Sequence, residues 1–303
     1  MLGICFLLIL CPAEGWVANS GSKSHASQQA AAEIPPSVRS IVDRFSGRIY
    51  FSARNLKTGE LLEHDAGAQV QTASVIKVPL MVEVFAQARE GRLALTDPIV
   101  YTESNQAPGA GILQDLSPGL QITVRDAVVL MIALSDNTAT NMLIDRVGVD
   151  AVNQRLIQCG FERTFLNRKV FRPDPEDLPP ERARFGLGAT TPREMRLLFE
   201  KLYRGEIVDA EASHEMMAIL RQQRDRDQIP RLLVGPEWTD VEVAHKSGAL
   251  NRVRNDVGIV FSPRGDVVLS LFAQESEDQK WTPDNEASLA LGRLAEELLK
   301  HLL

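Results

Sequence analysis

The stretch TVRDAVVLMIALSDNTATNMLIDRVG, residues 123–148, says most about the fold. Its first half is apolar on nearly every side and opens with Thr123 and Asp126, which have the three-residue spacing of a helix capping box. Its second half has helical spacing and ends at a glycine. The polar tripeptide Ser135-Asp136-Asn137 separates the two halves. We therefore predict two helices joined by a short polar turn, the first of them central and buried.

Segments with a strand period lie on both sides of this region. Residues 47–65 alternate apolar and polar side chains around a turn at Lys57-Thr58-Gly59, which predicts a β-hairpin. Residues 239–274 contain three further strand-like runs, and residues 285–303 form an amphipathic helical pattern. Strands from both ends of a chain pair most simply in one antiparallel sheet.

Helical patterns fill the interval between these strands. One of them begins at Thr191, where Pro192 and Glu194 complete a second capping-box pattern. The expected fold class is therefore α/β, with an antiparallel sheet flanked by terminal helices beside an inserted all-helical lobe. The expected boundaries are about 35–73 and 225–303 for the α/β lobe, and about 74–224 for the helical lobe.

The first 18 residues differ from the rest of the chain. They are apolar, too short to span a bilayer, and followed by small residues, which predicts a secretory signal peptide and a periplasmic or secreted protein without stable membrane insertion. A lipoprotein anchor at Cys11 is less favoured because Leu10 precedes it, and a buried N-terminal helix is the other alternative. Residues 19–34 are small and polar and are interpreted as a flexible leader before a domain at 35–303.

Bulk composition limits the functional classes. The chain has 303 residues, of which 44% are hydrophobic and 24% charged, and its net charge is -7. This composition is typical of a globular protein, and the negative charge argues against nucleic acid or an anionic membrane as a partner. A small-molecule partner and a monomeric state are the default expectations.

Three short motifs carry candidate chemistry. Ser74 and Lys77 lie three residues apart at a predicted helix start, so both side chains lie on one helix face within reach of each other. The other two motifs are Ser135-Asp136-Asn137 and Lys246-Ser247-Gly248 at a strand end. Each motif alone is weak, because Ser20 to Lys23 and Lys57 to Gly59 repeat two of the patterns elsewhere.

The three motifs together, in this order and in these contexts, match the signature of class A β-lactamases and penicillin-binding proteins. The chain resembles a class A serine β-lactamase over roughly residues 35–303. The resemblance implies hydrolysis of a β-lactam, or of a related acyl-D-alanine-type molecule, with no metal and no organic cofactor.

The resemblance also implies a role for each matching residue. Ser74 would be the nucleophile that becomes acylated, Lys77 would take or relay its proton, and Ser135 would pass a proton to the departing ring nitrogen. Asp136 would hold its loop in place rather than take part in the chemistry. The substrate would be bound by Asn137, Lys246, Ser247, the backbone N–H of Ala249, and a further cation, Arg254 in preference to Arg252.

Class A enzymes also carry a glutamate that positions the water for deacylation. In this sequence, no glutamate stands where the family spacing from Ser135 would place it. Counting forward from Ser135 at the family spacing gives Val170 or Phe171, neither of which can activate water. Counting back from Pro192 gives Pro175, whose neighbours are Asp174 and Glu176. We take Glu176 as the candidate, with Asp174 and Asp177 left open. The acids of this proline-rich loop are otherwise expected to be solvated and neutralised by Arg172, Arg182 and Arg184.

Two alternatives follow from this departure from the family pattern. One is a D-alanyl-D-alanine peptidase or esterase of the penicillin-binding type, which shares the three motifs. The other is a slow-turnover β-lactam-binding protein that becomes acylated without efficient deacylation, because turnover requires an activated water.

Overall fold

The computed structural model describes residues 32–303. The expected signal peptide, the alternative anchor at Cys11, the Ser20 to Lys23 repeat and nearly all of the expected leader lie outside these residues. Within the described range, no helix is both long enough and apolar enough to cross a membrane. Secretion and a monomeric state stay predictions.

A five-stranded antiparallel sheet forms the centre of the fold, and its strand order is β2-β1-β10-β9-β8. The sheet strands are β1 (Arg48–Asn55), β2 (Leu61–His64), β8 (Glu242–Leu250), β9 (Val253–Phe261) and β10 (Val267–Gln274). The hairpin around Lys57 to Gly59 is confirmed, since β1 pairs antiparallel with β2. The central pairing joins β1 to β10, so strands from both ends of the described chain lie side by side, as predicted.

Two smaller sheets and the helices complete the described range. The small-sheet strands are β3 (Val70–Gln71), β4 (Pro98–Val100), β5 (Gln121–Thr123), β6 (Phe165–Leu166) and β7 (Gly188–Thr190). The α-helices are α1 (Pro36–Arg44), α2 (Lys77–Arg89), α3 (Val124–Ala133), α4 (Asn137–Val147), α5 (Val149–Gln158), α6 (Pro180–Ala183), α7 (Pro192–Arg204), α8 (Ala210–Leu220) and α9 (Glu286–Leu302). Short 3₁₀ helices cover Ala73–Ile76, Glu103–Asn105, Leu113–Asp115, Ile229–Leu232 and Pro236–Trp238.

The two faces of the large sheet bury different apolar clusters. Side chains alternate between faces along a strand. Val257 and Ile259 of β9 therefore join a cluster with α2, α3, α4, α7 and α8, whereas Val260, on the opposite face, joins the cluster of α1 and α9. This arrangement confirms the predicted fold class of a sheet with terminal helices on one side and the inserted helices on the other.

The lobe boundary is less simple than the sequence suggested. Met195 and Phe199 of α7 lie in the expected helical lobe, yet they belong to the same cluster as Val257 and Phe272 of the sheet. Helix α7 therefore packs on the sheet itself. The boundaries near 74 and 225 stay a prediction.

The helix caps show one confirmed and one corrected prediction. Thr123 and Asp126 form the predicted reciprocal capping box at α3. At α7, the Thr191 side chain accepts a hydrogen bond from Glu194 N as predicted. The Glu194 carboxylate does not complete the box, however, because it accepts hydrogen bonds from Arg163 N and Thr164 Oγ1. A tertiary contact has replaced the local one.

Candidate active site

Ser74 lies in a tight turn that two sheet strands hold in place. The turn is the 3₁₀ helix Ala73–Ile76, which runs directly into α2, so the predicted helix start is present with a tighter first turn. Asn255 Nδ2 on β9 donates to Gln71 O (2.9 Å) and Thr72 O (3.0 Å), and Gln274 Nε2 on β10 donates to Asn255 Oδ1 (2.9 Å). The backbone that leads into Ser74 is therefore fixed by buried side chains of the sheet.

Strand β8 passes against this turn at Gly248. A Cβ at this position would lie 2.9 Å from Ser74 N and 2.9 Å from Thr72 O, closer than real Cβ contacts allow. Only glycine lets the strand approach so closely without a backbone shift. This contact brings the third motif to the backbone N–H of Ser74.

Lys77 is fully buried and reaches the turn between α3 and α4. Its Nζ donates to Ser135 O (2.6 Å), Asn137 Oδ1 (2.8 Å) and Ser135 Oγ (3.2 Å). Burial, and next the nearby charge of Lys246, lower the pKa of Lys77 well below its usual value, while the Asp136 carboxylate opposes the shift. The neutral amine is therefore much more populated than in an exposed lysine, and a neutral amine can accept a proton.

Lys246 approaches the same hydroxyl from β8. Its Nζ donates to Ser135 Oγ (3.1 Å) and to Ser247 O (2.7 Å), and its side chain is fully buried. Burial lowers the pKa of Lys246 to about 8, although the carboxylates of Asp225 and Asp256 favour the charged form. Ser135 Oγ thus lies between two buried lysines, one from each of the other motifs.

The turn that carries Ser135 is fixed by the residue after it. Ser135 has a positive φ of 55°, a backbone conformation that is uncommon for residues other than glycine. Asp136 is buried, and its carboxylate accepts hydrogen bonds from Ile112 N (2.7 Å), Leu113 N (2.9 Å) and Ala139 N (2.8 Å). Asp136 therefore joins the start of α4 to the 107–113 segment, the kind of contact that a purely structural role requires.

Asn137 connects Lys77 to that same segment. Its Oδ1 accepts the Lys77 bond, its Nδ2 donates to Pro108 O (2.8 Å), and its backbone N–H donates to Ala110 O (3.0 Å). The amide that was expected to meet a substrate is thus engaged with the protein itself. A substrate amide therefore has to compete with, or add to, the bond to Pro108.

These motif residues meet in one cavity of about 630 Å³. It suits a small-molecule ligand, because ligand pockets commonly enclose about 300–1,000 Å³. Its lining includes the expected residues Ser74, Ser135, Asn137, Ser247 and Ala249, with Lys77 and Lys246 buried beneath the hydroxyl that they share. Asp225 adds a carboxylate to this lining.

Arg254 does not occupy the position expected of a substrate-binding cation. It is 4% exposed and is absent from the lining of the cavity, which instead includes Arg252. The Arg254 guanidinium donates to the carbonyls of Leu250 (2.5 Å), Val253 (2.8 Å) and Lys280 (2.6 Å) and lies 4.9 Å from the centre of the Trp281 ring. Because its donors are engaged with backbone carbonyls, Arg254 supports the rim of the cavity.

Glu176 does not line the cavity of Ser74. It is exposed and lines a second cavity, of about 720 Å³, together with Asp174 and Asp177. Ser74 is not among the residues that line that cavity. Asp174 forms an ion pair with Arg168 (2.6 Å), whereas Arg172, expected to neutralise the loop acids, donates to the carbonyls of Ser104 and Gln106. The structure thus does not bring any of the three candidate carboxylates to the nucleophile.

The loop reaches the cavity of Ser74 at Phe171 and not at the acids. Asn141 on α4 accepts a hydrogen bond from Val170 N (2.8 Å) and donates to Val170 O (3.2 Å). The next residue, Phe171, lines the cavity of Ser74. Of the two counts, the forward one reaches a residue that lines the cavity of Ser74, and that residue is apolar.

Asn141, Asn255 and Gln274 were not predicted from the sequence. A signal existed for Asn141, because it lies four residues after Asn137 and thus on the same helix face. Asn255 and Gln274 are buried polar residues in strands of the central sheet, and a polar side chain at a core position has to find a partner. Which backbone group each one meets depends on the tertiary fold.

Comparison with known proteins adds independent observations. A family model described as "Beta-lactamase enzyme family" matches residues 34–302. Among curated relatives, a β-lactamase of Rhodobacter capsulatus is 25% identical over 263 residues, covering 86% of each chain. β-Lactamase L2 of Stenotrophomonas maltophilia is 26% identical over 303 residues, covering 97% of this chain and 93% of its own.

Solved structures agree with this similarity. A β-lactamase from Sphaerobacter thermophilus DSM 20745 is 31% identical, with a TM-score of 0.77 over 88% of this chain and 95% of that chain. PBP-A is 26% identical, with a TM-score of 0.74 over 90% of this chain and 99% of that chain. A mutant of PBP-A is described as an acyl-enzyme complex with penicillin G, and it matches with a TM-score of 0.73.

Proposed function

The chain belongs to the β-lactamase enzyme family, and from this premise we propose that it opens β-lactam rings by forming an acyl-enzyme on Ser74. The observation that carries the proposal is the position of Ser135 Oγ, which accepts hydrogen bonds from Lys77 Nζ (3.2 Å) and Lys246 Nζ (3.1 Å) at the cavity of Ser74. A hydroxyl between two lysines of lowered pKa is suited to proton transfer.

Acylation begins at Ser74. Lys77 in its neutral form removes the Ser74 hydroxyl proton while Oγ attacks the β-lactam carbonyl carbon. The lowered pKa of Lys77 makes this form more populated than it is in an exposed lysine. The developing oxyanion is held by the backbone N–H groups of Ser74 and Ala249, two residues that line the same cavity.

Ring opening then requires a proton on the departing nitrogen. The proton moves from Lys77 through the Ser135 hydroxyl, along the 3.2 Å contact between them. Lys246 keeps a positive charge next to this hydroxyl, and together with Ser247 it binds the substrate carboxylate. This attraction is strong because Lys246 is buried, where charges are weakly screened.

A second candidate function is that of a β-lactam-binding protein, in which deacylation is slow and turnover is therefore slow. The observation that favours it is the placement of Glu176 in a separate cavity, while Phe171 faces the site. Without a carboxylate to activate water, hydrolysis of the Ser74 ester loses a factor of about 10²–10⁴. The peptidase or esterase alternative shares the acylation step and differs in the acyl donor.

Intact mass measurement after rapid mixing with benzylpenicillin tests the proposal. We expect one adduct with the mass of the whole antibiotic, located on the peptide that contains Ser74, and none in Ser74→Ala. Ser117→Ala, which removes a hydroxyl from an exposed loop, is the matched control and should be acylated normally. An adduct that persists in Ser74→Ala would refute the proposed nucleophile.

Nitrocefin kinetics then separate the two candidates. A linear time course with many turnovers supports an efficient β-lactamase, whereas a burst of one equivalent followed by slow turnover supports the slow-turnover candidate. A D-alanyl-D-alanine peptide that acylates Ser74 faster than benzylpenicillin does would instead favour the peptidase.

A further inference from the structure

His245 and Asp256 form a buried pair next to Lys246. His245 Nδ1 lies 2.8 Å and 3.0 Å from the two carboxylate oxygens of Asp256, and the two residues are 1% and 0% exposed. Because an ionised carboxylate can only accept hydrogen bonds, the imidazole N–H is the donor. A second donor, Ile229 N, binds Asp256 Oδ2 at 3.0 Å. A buried charge is costly even when it is paired, so this buried pair is a candidate for a functional role.

The buried pair lies behind Lys246, on the other face of the sheet. Asp256 is directly opposite Ser247 in the register of β8 and β9, and residues directly opposite each other share a face. His245 shares that face because it lies two residues before Ser247. Lys246, between them, points to the other face, where it reaches Ser135. The carboxylate behind the strand and the ammonium in front of it are thus carried by neighbouring positions of one strand pair.

The sheet leaves space for His245 and uses it to fix an edge strand. Within the sheet, β8 is the last strand, so it pairs with β9 on one side only. Gly258 lies opposite His245 on β9, and an added Cβ there would overlap His245 Cβ and lie 2.7 Å from Ala244 O. The glycine therefore leaves room for the imidazole, whose bond to Asp256 ties β8 to β9 immediately before Lys246.

Asp256 also acts on the charge of Lys246. Burial lowers the pKa of Lys246 to about 8, and the carboxylates of Asp225 and then Asp256 oppose that shift by favouring the charged form. Asp225 is half-buried and lines the cavity, where solvent screens it, whereas Asp256 is fully buried, where charges are weakly screened. On the cavity side, the charged neighbour of Lys246 is Lys77, which shares Ser135 with it. The effect of Asp256 therefore persists when substrate replaces water in the cavity.

The other charged groups near the buried pair are engaged elsewhere. From β9, Arg254 donates to backbone carbonyls, as described above. From the short helix that supplies Ile229 N, Arg231 lies 3.9 Å from Asp227 and 3.3 Å from Asp284. The buried residues of α9, which packs on this face, are apolar or small and uncharged. Each of these charged groups thus has a partner other than the buried carboxylate.

We propose that Asp256 is a positioning residue that keeps Lys246 charged for substrate binding, and that the hydrogen bond from His245 holds Asp256 in the ionised form that this requires. The buried pair acts through Lys246 and does not touch the substrate. Because the counter-charge lies behind the strand, it does not compete with a substrate carboxylate for the hydrogen bonds of the ammonium group. This inference rests on the proposed acylation and adds two residues that support it.

The pH profile of acylation by benzylpenicillin tests the proposal. Its alkaline limb is the fall in rate as Lys246 loses its proton. A purely structural defect reduces the amount of active protein, so it lowers the rate by one factor at every pH and leaves the limb in place. In Asp256→Asn, we expect the limb to move to lower pH by about one unit, because Lys246 loses a favourable charge. The rate should fall about tenfold above the limb and change less than about twofold below neutral pH.

Two substitutions of His245 separate its hydrogen bond from its packing. Asparagine places an amide N–H at the position of Nδ1, so His245→Asn keeps a donor to Asp256 and should leave the limb in place. His245→Leu has a comparable volume and no donor, which disfavours the charged form of the buried carboxylate. The limb should then move in the same direction as in Asp256→Asn. This second pair of variants carries the test if Asp256→Asn does not fold.

Asp227→Asn is the matched control. It removes a half-buried carboxylate whose partner is Arg231, and the alkaline limb should stay in place. A limb that moves as far in this control as in Asp256→Asn would contradict a specific role for the buried pair.

The remaining outcomes are distinguishable. A limb that stays in place in Asp256→Asn and in His245→Leu overturns the proposal while leaving acylation of Ser74 intact. An equal loss of rate at every pH also overturns it, since the buried pair would then support only the fold. Failure of the unsubstituted protein to be acylated refutes the proposed function itself, and this inference with it.

Discussion

The cavity of Ser74 has two sides that are built differently. The strand side, residues 71–77 and 246–250, consists of regular elements whose backbones are fixed by sheet pairing and by Asn255. The loop side, residues 167–187, is fixed by single side chains such as Asn141 that bind isolated backbone groups. In the proposed mechanism, the groups that carry out acylation lie on the strand side, whereas the loop side carries Phe171 and the candidate carboxylates.

The largest expected effect concerns the strand side. Lys77→Met should lower the rate of acylation by benzylpenicillin about 10³-fold, because it removes the proton acceptor while keeping a buried side chain of similar length. Rapid mixing and quenching, followed by intact mass measurement, give this rate. Lys57→Met, in the exposed hairpin turn, is the control and should acylate at the normal rate. Near-normal acylation of Lys77→Met would assign proton removal to another group.

Gly248→Ala should have the next largest effect. The added Cβ would approach Ser74 N and Thr72 O to 2.9 Å, so the strand and the nucleophile turn have to separate. A displacement of this kind costs about 10²-fold in rate. Acylation kinetics, with thermal unfolding to check the fold, measure the loss.

Gly67→Ala provides the comparison for this variant. Its added Cβ would meet only a flexible arginine end at 3.8 Å. We expect normal acylation from Gly67→Ala. If both variants behaved alike, the close approach of β8 would not be what positions Ser74.

The strand side of the cavity could largely be predicted from the sequence. Ser74, Lys77, Ser135 and Lys246 were expected in one place because the three motifs together match a family signature. Local periodicity and capping predicted the helix starts and the strand end on which they lie. The antiparallel sheet followed in the same way. The role of each residue in catalysis stays a prediction.

The loop side could not be predicted to the same depth. Its register depends on the Asn141 bonds to Val170, a contact between residues 29 positions apart that leaves no periodic pattern. Similarly, Arg252 and Arg254 lie two residues apart, and which of them faces the cavity was decided by the carbonyl groups of Lys280 and Leu250. Counting along a sequence cannot find bonds of this kind.

The pH dependence of acylation should report the two lysines of the strand side. The pKa of Lys77 is lowered, and its neutral form is needed, so the rate rises with pH at the acidic end. Lys246 is needed in its charged form, and its pKa of about 8 predicts a fall of up to about tenfold per pH unit above that value. Together, the two effects predict a bell-shaped dependence of the acylation rate on pH. We would test it by measuring acylation by benzylpenicillin in buffers from mildly acidic to strongly alkaline.

Asp225 offers a way to shift one limb of that profile. Its carboxylate favours the charged form of Lys246, so Asp225→Asn should move the alkaline limb to lower pH. Asp177→Asn, on the exposed loop, should leave the profile in place. In the unsubstituted protein, a rate that keeps rising well above the pKa of Lys246 would contradict the need for its charged form.

The smallest expected effect belongs to the loop side. Glu176→Gln should change the hydrolysis of the Ser74 ester by less than about twofold, because Glu176 is exposed and lines a cavity that does not include Ser74. The decay of the benzylpenicillin adduct, followed by mass after removal of free antibiotic, measures this step alone. A decrease of about 10²-fold would mean that the loop carries Glu176 to the ester after acylation, and the two sides of the cavity would then share the chemistry.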